Sequence, residues 1–138
     1  MDEEKGYSLI ADVALFKDRS VLFVKYKDSD AYDGQTGWFL PDASIKYLEH
    51  PDKAANRLLH EQVGLDKVSP KLDHIESFRG NDASWHLSFH YRSEIGKLDL
   101  TPGEDVAEAK WFPLDALPAK DKVAHHGWAL TTLRKMLT

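Results

Sequence analysis

A chain of 138 residues, with 42% hydrophobic and 30% charged residues, has the composition of one globular domain large enough to bury a core without covalent staples. The absence of cysteine excludes a disulfide scaffold, a thiolate metal site and a cysteine nucleophile. A net charge of −5, with basic residues scattered singly, disfavours a nucleic-acid polymer as partner; the acidic lead and the lack of a long apolar run predict no secretory signal and no membrane span, hence a cytoplasmic chain.

Along the chain, Leu9 to Phe16 and Val21 to Tyr26 are apolar runs separated by Asp18-Arg19-Ser20, which predicts a hairpin. The polar stretch from Asp28 to Gly37 reads as a surface loop long enough to be a lid, and Trp38 to Leu40 as a short apolar segment closed by Pro41. Helical periodicity runs from Pro51 to Val63, with proline suited to the first turn and Gly64 placed to cap the end. Strands are expected over Leu72–Phe78 and Ser84–Ile95. In the second, Trp85, Leu87, Phe89 and Tyr91 share one face, while Ser84, His86, Ser88, His90 and Arg92 share the other. A last strand over Val106–Phe112 precedes a turn at Pro113. From Pro118 onward Leu130, Leu133 and Leu137 fall at helical spacing. Trp38, Trp85, Trp111 and Trp128 are expected in the core, and the adjacent His125 and His126 at the surface or in a cap. Residues 1–138 thus predict a single α/β or α+β domain, helices packed on a mixed sheet.

The segment WFLPDASIKYLEHPDKAANRLLHEQVGL, from Trp38 to Leu65, carries the most specific signal. Seven residues separate Glu49 from Arg57, Leu59 occupies a bulky aliphatic slot, Glu61 follows at the spacing of a paired acid, and Gly64-Leu65 close the segment. This resembles the box of the Nudix superfamily, G-x5-E-x7-R-E-U-x-E-E-x-G-U (U a bulky aliphatic), preceded by W-x-L-P-G, and it needs no gap. The resemblance implies an α/β/α sandwich with helices on both faces of a mixed sheet. It also implies hydrolysis of a nucleoside diphosphate linked to another moiety, with Mg²⁺ or Mn²⁺ as cofactor, and it allows a homodimer.

The chain departs from that pattern in places that carry chemistry. Leu58 stands where the acid after the arginine belongs, Gln62 replaces the second paired acid, and Asp42 and Ala43 replace two glycines. Positions 58, 61 and 62 lie three and four residues apart on one helix face, where a set of carboxylates would hold a hard cation. Only Glu61 remains there as an acid. The resemblance implies that Glu61 is the principal metal ligand, that Glu49 lies near the metal and that Arg57 braces one of these acids. Gln62 can add a neutral carbonyl oxygen. Some members draw a further acid from the loop before the late tryptophan, here Trp111, which makes Glu104 and Asp105 catalytic candidates, with Asp42 and Glu108 as further compensators. Leu58 and the tail DALPAKDKVAHHGWAL also resemble the GDP-mannose mannosyl hydrolase branch, although the loop that supplies that branch with a histidine holds acids and no histidine in this chain. Tyr32, His86 and His90 are the candidates for contact with a small nucleotide-linked substrate. The alternative expectation is a catalytically impaired nucleotide-binding or interaction module of the same fold.

Overall fold

Two consecutive residues with positive φ, Asp18 (48°) and Arg19 (64°), make the tight turn that joins β1 (Tyr7–Lys17) to β2 (Ser20–Tyr26). Lys17 faces Ser20 and Phe16 faces Val21. Beyond that register the two strands part, and the segment after the polar loop fills the wedge between them. Val24 exchanges both backbone hydrogen bonds with Phe39 (2.8 Å each), Val13 donates to Pro41 (3.0 Å), and β3 (Asp42–Ser44) pairs with β1 from Ile10 to Asp12. In this computed structural model residues 6–32, 34–80, 83–96 and 99–138 are described; most of the acidic lead and Asp33 of the polar loop lie outside them.

The other edge of β1 pairs in parallel with β5 (Trp85–Glu94) over its whole length, and β5 carries the antiparallel edge strand β4 (Lys71–Arg79). On the far side β6 (Val106–Pro113) pairs with β2, giving a mixed sheet of order β4-β5-β1-β2-β6 with β3 on β1. Alternation along β1 sorts the core into two layers. Ala11, Val13 and Leu15 pack under α1 (Pro51–Val63), and Ala14 and Phe16 pack under α2 (Ala124–Met136). The expected sandwich with a helix on each face is therefore what the chain builds.

Helix α1 has the bounds its sequence predicts. Pro51 opens it, the His50 ring accepts from the Asp52 amide (3.0 Å), and Gly64 ends it in the left-handed region (φ 71°). The C-terminal helix begins later than Pro118 predicts. A 3₁₀ turn at Lys120–Lys122 comes first, and His125, His126 and Gly127 are left-handed (φ 54°, 57° and 82°), so regular helical backbone starts at Trp128. Leu133 is buried but Leu137 lies exposed past the helix end. Trp85 corrects the expectation for the tryptophans: α1 covers only the Tyr91 end of β5, and burial fades along the strand until Trp85 is 53% exposed. Among the described residues no helix is long and apolar enough to cross a membrane.

Candidate active site

Helix α1 buries two adjoining stripes, Ala54, Leu58 and Gln62 and then Ala55, Leu59 and Val63, which turns Arg57 and Glu61 to the helix flank. Arg57 is the hub. Its guanidinium grips Glu49 bidentately (Nε to Oε2 2.8 Å, Nη2 to Oε1 3.0 Å), donates to the Ser44 carbonyl (2.9 Å), and reaches Glu61 Oε1 (3.1 Å). Glu49 also accepts from the Lys46 amide (2.9 Å). Hydrogen bonds from Arg57, working against partial burial, hold the Glu49 carboxyl down to about 2. Glu49 is thus tied to the protein on both oxygens. Glu61 has one oxygen touched by Arg57 and a side chain that is 54% exposed.

The two slots that depart from the family pattern have become structure. Leu58 is completely buried in the core under α1. Gln62 is buried as well, and its amide is committed on both sides: Oε1 accepts from the Tyr26 hydroxyl (2.7 Å), and Nε2 donates to the Asp42 carbonyl (2.7 Å). The Asp42 amide closes the ring by donating to Tyr26 Oη (3.0 Å). The expectation that Gln62 offers its carbonyl to a metal is corrected, because the phenol of Tyr26 occupies that oxygen. Tyr26 was not legible as a site residue. It meets Gln62 across 36 positions of sequence, and the one available signal was its place at the end of β2 on the α1 side.

Tyr32, at the end of a 3₁₀ turn over Ser29–Tyr32, stacks on Tyr26 with ring centroids 3.7 Å apart. Its hydroxyl is pushed up to about 12, first by burial, then by Asp42, with Asp105 and Glu61 adding to the effect. Tyr32 therefore sits among three acids drawn from β3, α1 and the loop before β6. That loop is docked on the C-terminal end of α1: Thr101 donates to the Val63 carbonyl (2.9 Å) and Gly103 to that of Gln62 (2.8 Å). A Cβ on Gly103 would stand 2.0 Å from the Glu61 carbonyl oxygen, so glycine is what lets the loop lie there. Glu104 and Asp105 follow directly in the chain and are exposed. Glu108, out on β6, is opposite Lys25. An open cleft of about 470 Å³ adjoins Tyr26, bordered by Lys25, Gln35, Gly37 and Lys122.

The histidines do not join this assembly. His86 and His90 lie on the α2 side of the sheet, and the expectation that His90 contacts substrate is corrected: it has no solvent exposure, and the β1–β5 register seats it against Asp12. Burial would lower the His90 pKa, but Asp12 and Glu76 outweigh it and raise it. His86 is half-buried, contacts Ser84 Oγ (2.9 Å), and stacks on Phe78.

Comparison with known proteins agrees with this architecture. A family model described as NUDIX domain matches residues 6–132, and the chain belongs to that family. Over 104 residues it is 29% identical to an RNA pyrophosphohydrolase of Bartonella clarridgeiae, a match that spans 59% of this chain and 60% of that relative. A MutT NUDIX hydrolase from Burkholderia pseudomallei shares the fold with a TM-score of 0.72 at 18% identity, covering 95% of this chain and 96% of the other. An Ap4A hydrolase from C. elegans superposes with a TM-score of 0.66 at 12% identity, covering 94% and 97% of the two chains.

Proposed function

We propose that this protein is a divalent-metal-dependent hydrolase of a small compound in which a nucleoside is joined through a diphosphate or longer phosphate chain to another group. The observation that carries this reading is the state of Glu61: an exposed carboxylate, steered by Arg57, at the end of α1 on which an acid-bearing loop is docked. Family membership supports hydrolysis, and the names of the bacterial and nematode relatives support phosphate-chain substrates.

The donor set fits a hard cation that arrives with its ligand. Glu49 has no free oxygen, Leu58 none at all, and Gln62 is engaged, so Glu61 supplies one protein carboxylate, with Asp105 or Glu104 as a second. Mg²⁺ is commonly held by one or two carboxylates plus substrate phosphates. When bound there, the ion would neutralise the phosphates and acidify an attacking water. The chain's own part is positioning. Arg57 fixes the direction of Glu61, the Tyr26–Tyr32 stack offers an apolar wall, and Lys25 and Lys122 border the adjoining cleft together with Asp121.

A second reading, a nucleotide-binding module without turnover, is favoured by one specific observation: both missing acids are replaced by residues built into the core. Assay of a diadenosine polyphosphate, a 5′-triphosphorylated oligoribonucleotide and a nucleotide sugar with Mn²⁺ separates the two. Turnover that Glu61→Gln lowers at least tenfold supports the hydrolase. A melting-temperature rise with these compounds and no turnover supports the module.

A further inference from the structure

On the sheet face that carries α2, away from Glu61, the β4–β5 register assembles a different chemistry. His74 and His90 are directly opposed across the antiparallel pair, and Glu76 follows His74 on the same side of β4. Each imidazole has its Nδ1 against an aspartate: His90 on Asp12 (2.8 and 2.9 Å to the two oxygens) and His74 on Asp73 (2.6 Å). Both Nε2 atoms then converge on Glu76 Oε1, at 2.8 Å from His90 and 3.8 Å from His74. Lys135 of α2 holds the other Glu76 oxygen (2.9 Å).

These three convergent atoms are among the four buried side-chain atoms that lack a hydrogen-bond partner among the described residues, the fourth being Ser88 Oγ. His74 Nε2, Glu76 Oε1 and His90 Nε2 are all buried without a hydrogen-bond partner, and His90 is sealed from solvent altogether. The 2.8 Å His90–Glu76 approach is an ion pair that a shared cation would replace. Buried polar atoms without partners are costly, and three aimed at one point call for a shared partner. Around an ion with bonds of about 2.0–2.2 Å, ligand atoms stand roughly 3–3.5 Å apart; here all three lie within 4.8 Å of one another, so small side-chain rotations close the set. Two imidazoles and one carboxylate suit a borderline transition metal and not Mg²⁺. Aspartates behind the Nδ1 atoms are the outer partners that orient histidine ligands of such ions.

We propose that His74 Nε2, Glu76 Oε1 and His90 Nε2 bind one divalent transition-metal ion of the zinc class, oriented by Asp73 and Asp12. Such an ion clips the edge strand β4 to β5. Through Lys135 on Glu76, and Trp128 packed 5.3 Å from the His90 ring, it also fastens α2 to the sheet.

Calorimetric titration of Zn²⁺, with Mg²⁺ as the control, into the untagged, chelator-stripped full chain tests the site. One Zn²⁺ per chain is expected, with Mg²⁺ silent. His74→Gln and Glu76→Gln, both on the partly exposed edge strand and so spared the folding risk of a His90 variant, should each weaken Zn²⁺ binding at least tenfold while circular dichroism stays unchanged. His60→Gln, at an exposed histidine of α1 outside both sites, should bind Zn²⁺ like the wild type. Absence of saturable Zn²⁺ binding, wild-type binding by both β4 variants, or loss of binding in His60→Gln would overturn the proposal.

Discussion

Arg57 holds Glu49 through two hydrogen bonds, 2.8 and 3.0 Å, and Glu61 through one of 3.1 Å. The guanidinium is therefore a brace first and a partner of Glu61 second. Bidentate, charge-assisted pairing fixes the end of the 45–50 segment against α1, whereas an exposed i,i+4 pair contributes about 0.3–0.5 kcal/mol. Glu49→Gln should cost about 1–2 kcal/mol in urea unfolding, after allowance for solvent screening. Glu61→Gln should cost under about 0.5 kcal/mol. A Glu61→Gln variant that loses activity while keeping its unfolding midpoint separates chemistry from scaffolding.

The same pair sets a pH dependence. Glu49 is held down to about 2 in the folded protein, against about 4.3 in an unfolded chain. A carboxyl depressed in the native state stabilises it above the unfolded pKa, and that contribution is lost as pH falls through the folded value. The wild type should lose stability between about pH 5 and pH 2 more steeply than Glu49→Gln. Parallel stability curves for the two proteins over that range would show that Arg57 does not hold Glu49 in solution.

Restoring the family's acids should not be simple. Leu58 is wholly buried among Ala54, Leu59 and other residues of the α1 core. Leu58→Glu would lose that burial and strand a carboxylate in the core, at a cost of about 3–5 kcal/mol. The expected result is a variant whose urea midpoint falls sharply without metal. Recovery by Mn²⁺ would show that the helix can turn this position outward.

Much of the frame was readable from residue order. The bounds of α1 follow from Pro51, Gly64 and the apolar spacing between them, and the β1–β2 turn follows from the break at Asp18-Arg19, because local geometry decides both. What could not be read depends on strand partners far apart in sequence. The alternation of β5 puts His86 and His90 on one face, but only the parallel pairing with β1 reveals that Asp12 lies beside His90 and that the face is closed by α2. Gln62 was legible as a departure from a pattern; its capture by Tyr26 depended on where the end of β2 meets α1. Trp85 and Tyr91 share a face and differ in burial because α1 covers one end of the strand.

The Tyr26–Gln62–Asp42 ring makes a measurable prediction of its own. Tyr26→Phe leaves Gln62 Oε1 and the Asp42 amide without the phenol that served both, a loss of about 1–3 kcal/mol. Gln62→Leu removes one partner of the same ring, so the two substitutions should be non-additive by about 0.5 kcal/mol or more in a double-mutant cycle of unfolding. Additive effects would mean the ring does not hold in solution.

Gly103 tests whether the loop acids belong to the site. Its amide donates to the Gln62 carbonyl at 2.8 Å, and a Cβ there would lie 2.0 Å from the Glu61 carbonyl oxygen, backbone against backbone, with no flexible side chain to yield. Gly103→Ala must lift the loop from the end of α1 or bend the helix terminus; either costs about 1–3 kcal/mol. If Glu104 or Asp105 serves the reaction beside Glu61, turnover should fall by more than the Glu108→Gln control, because a displacement of about 1 Å is enough to cost two orders of magnitude. Steady-state rates at a temperature where both variants remain folded make the comparison. An active Gly103→Ala enzyme would leave Glu61 as the acid that matters and remove the loop from the catalytic proposal.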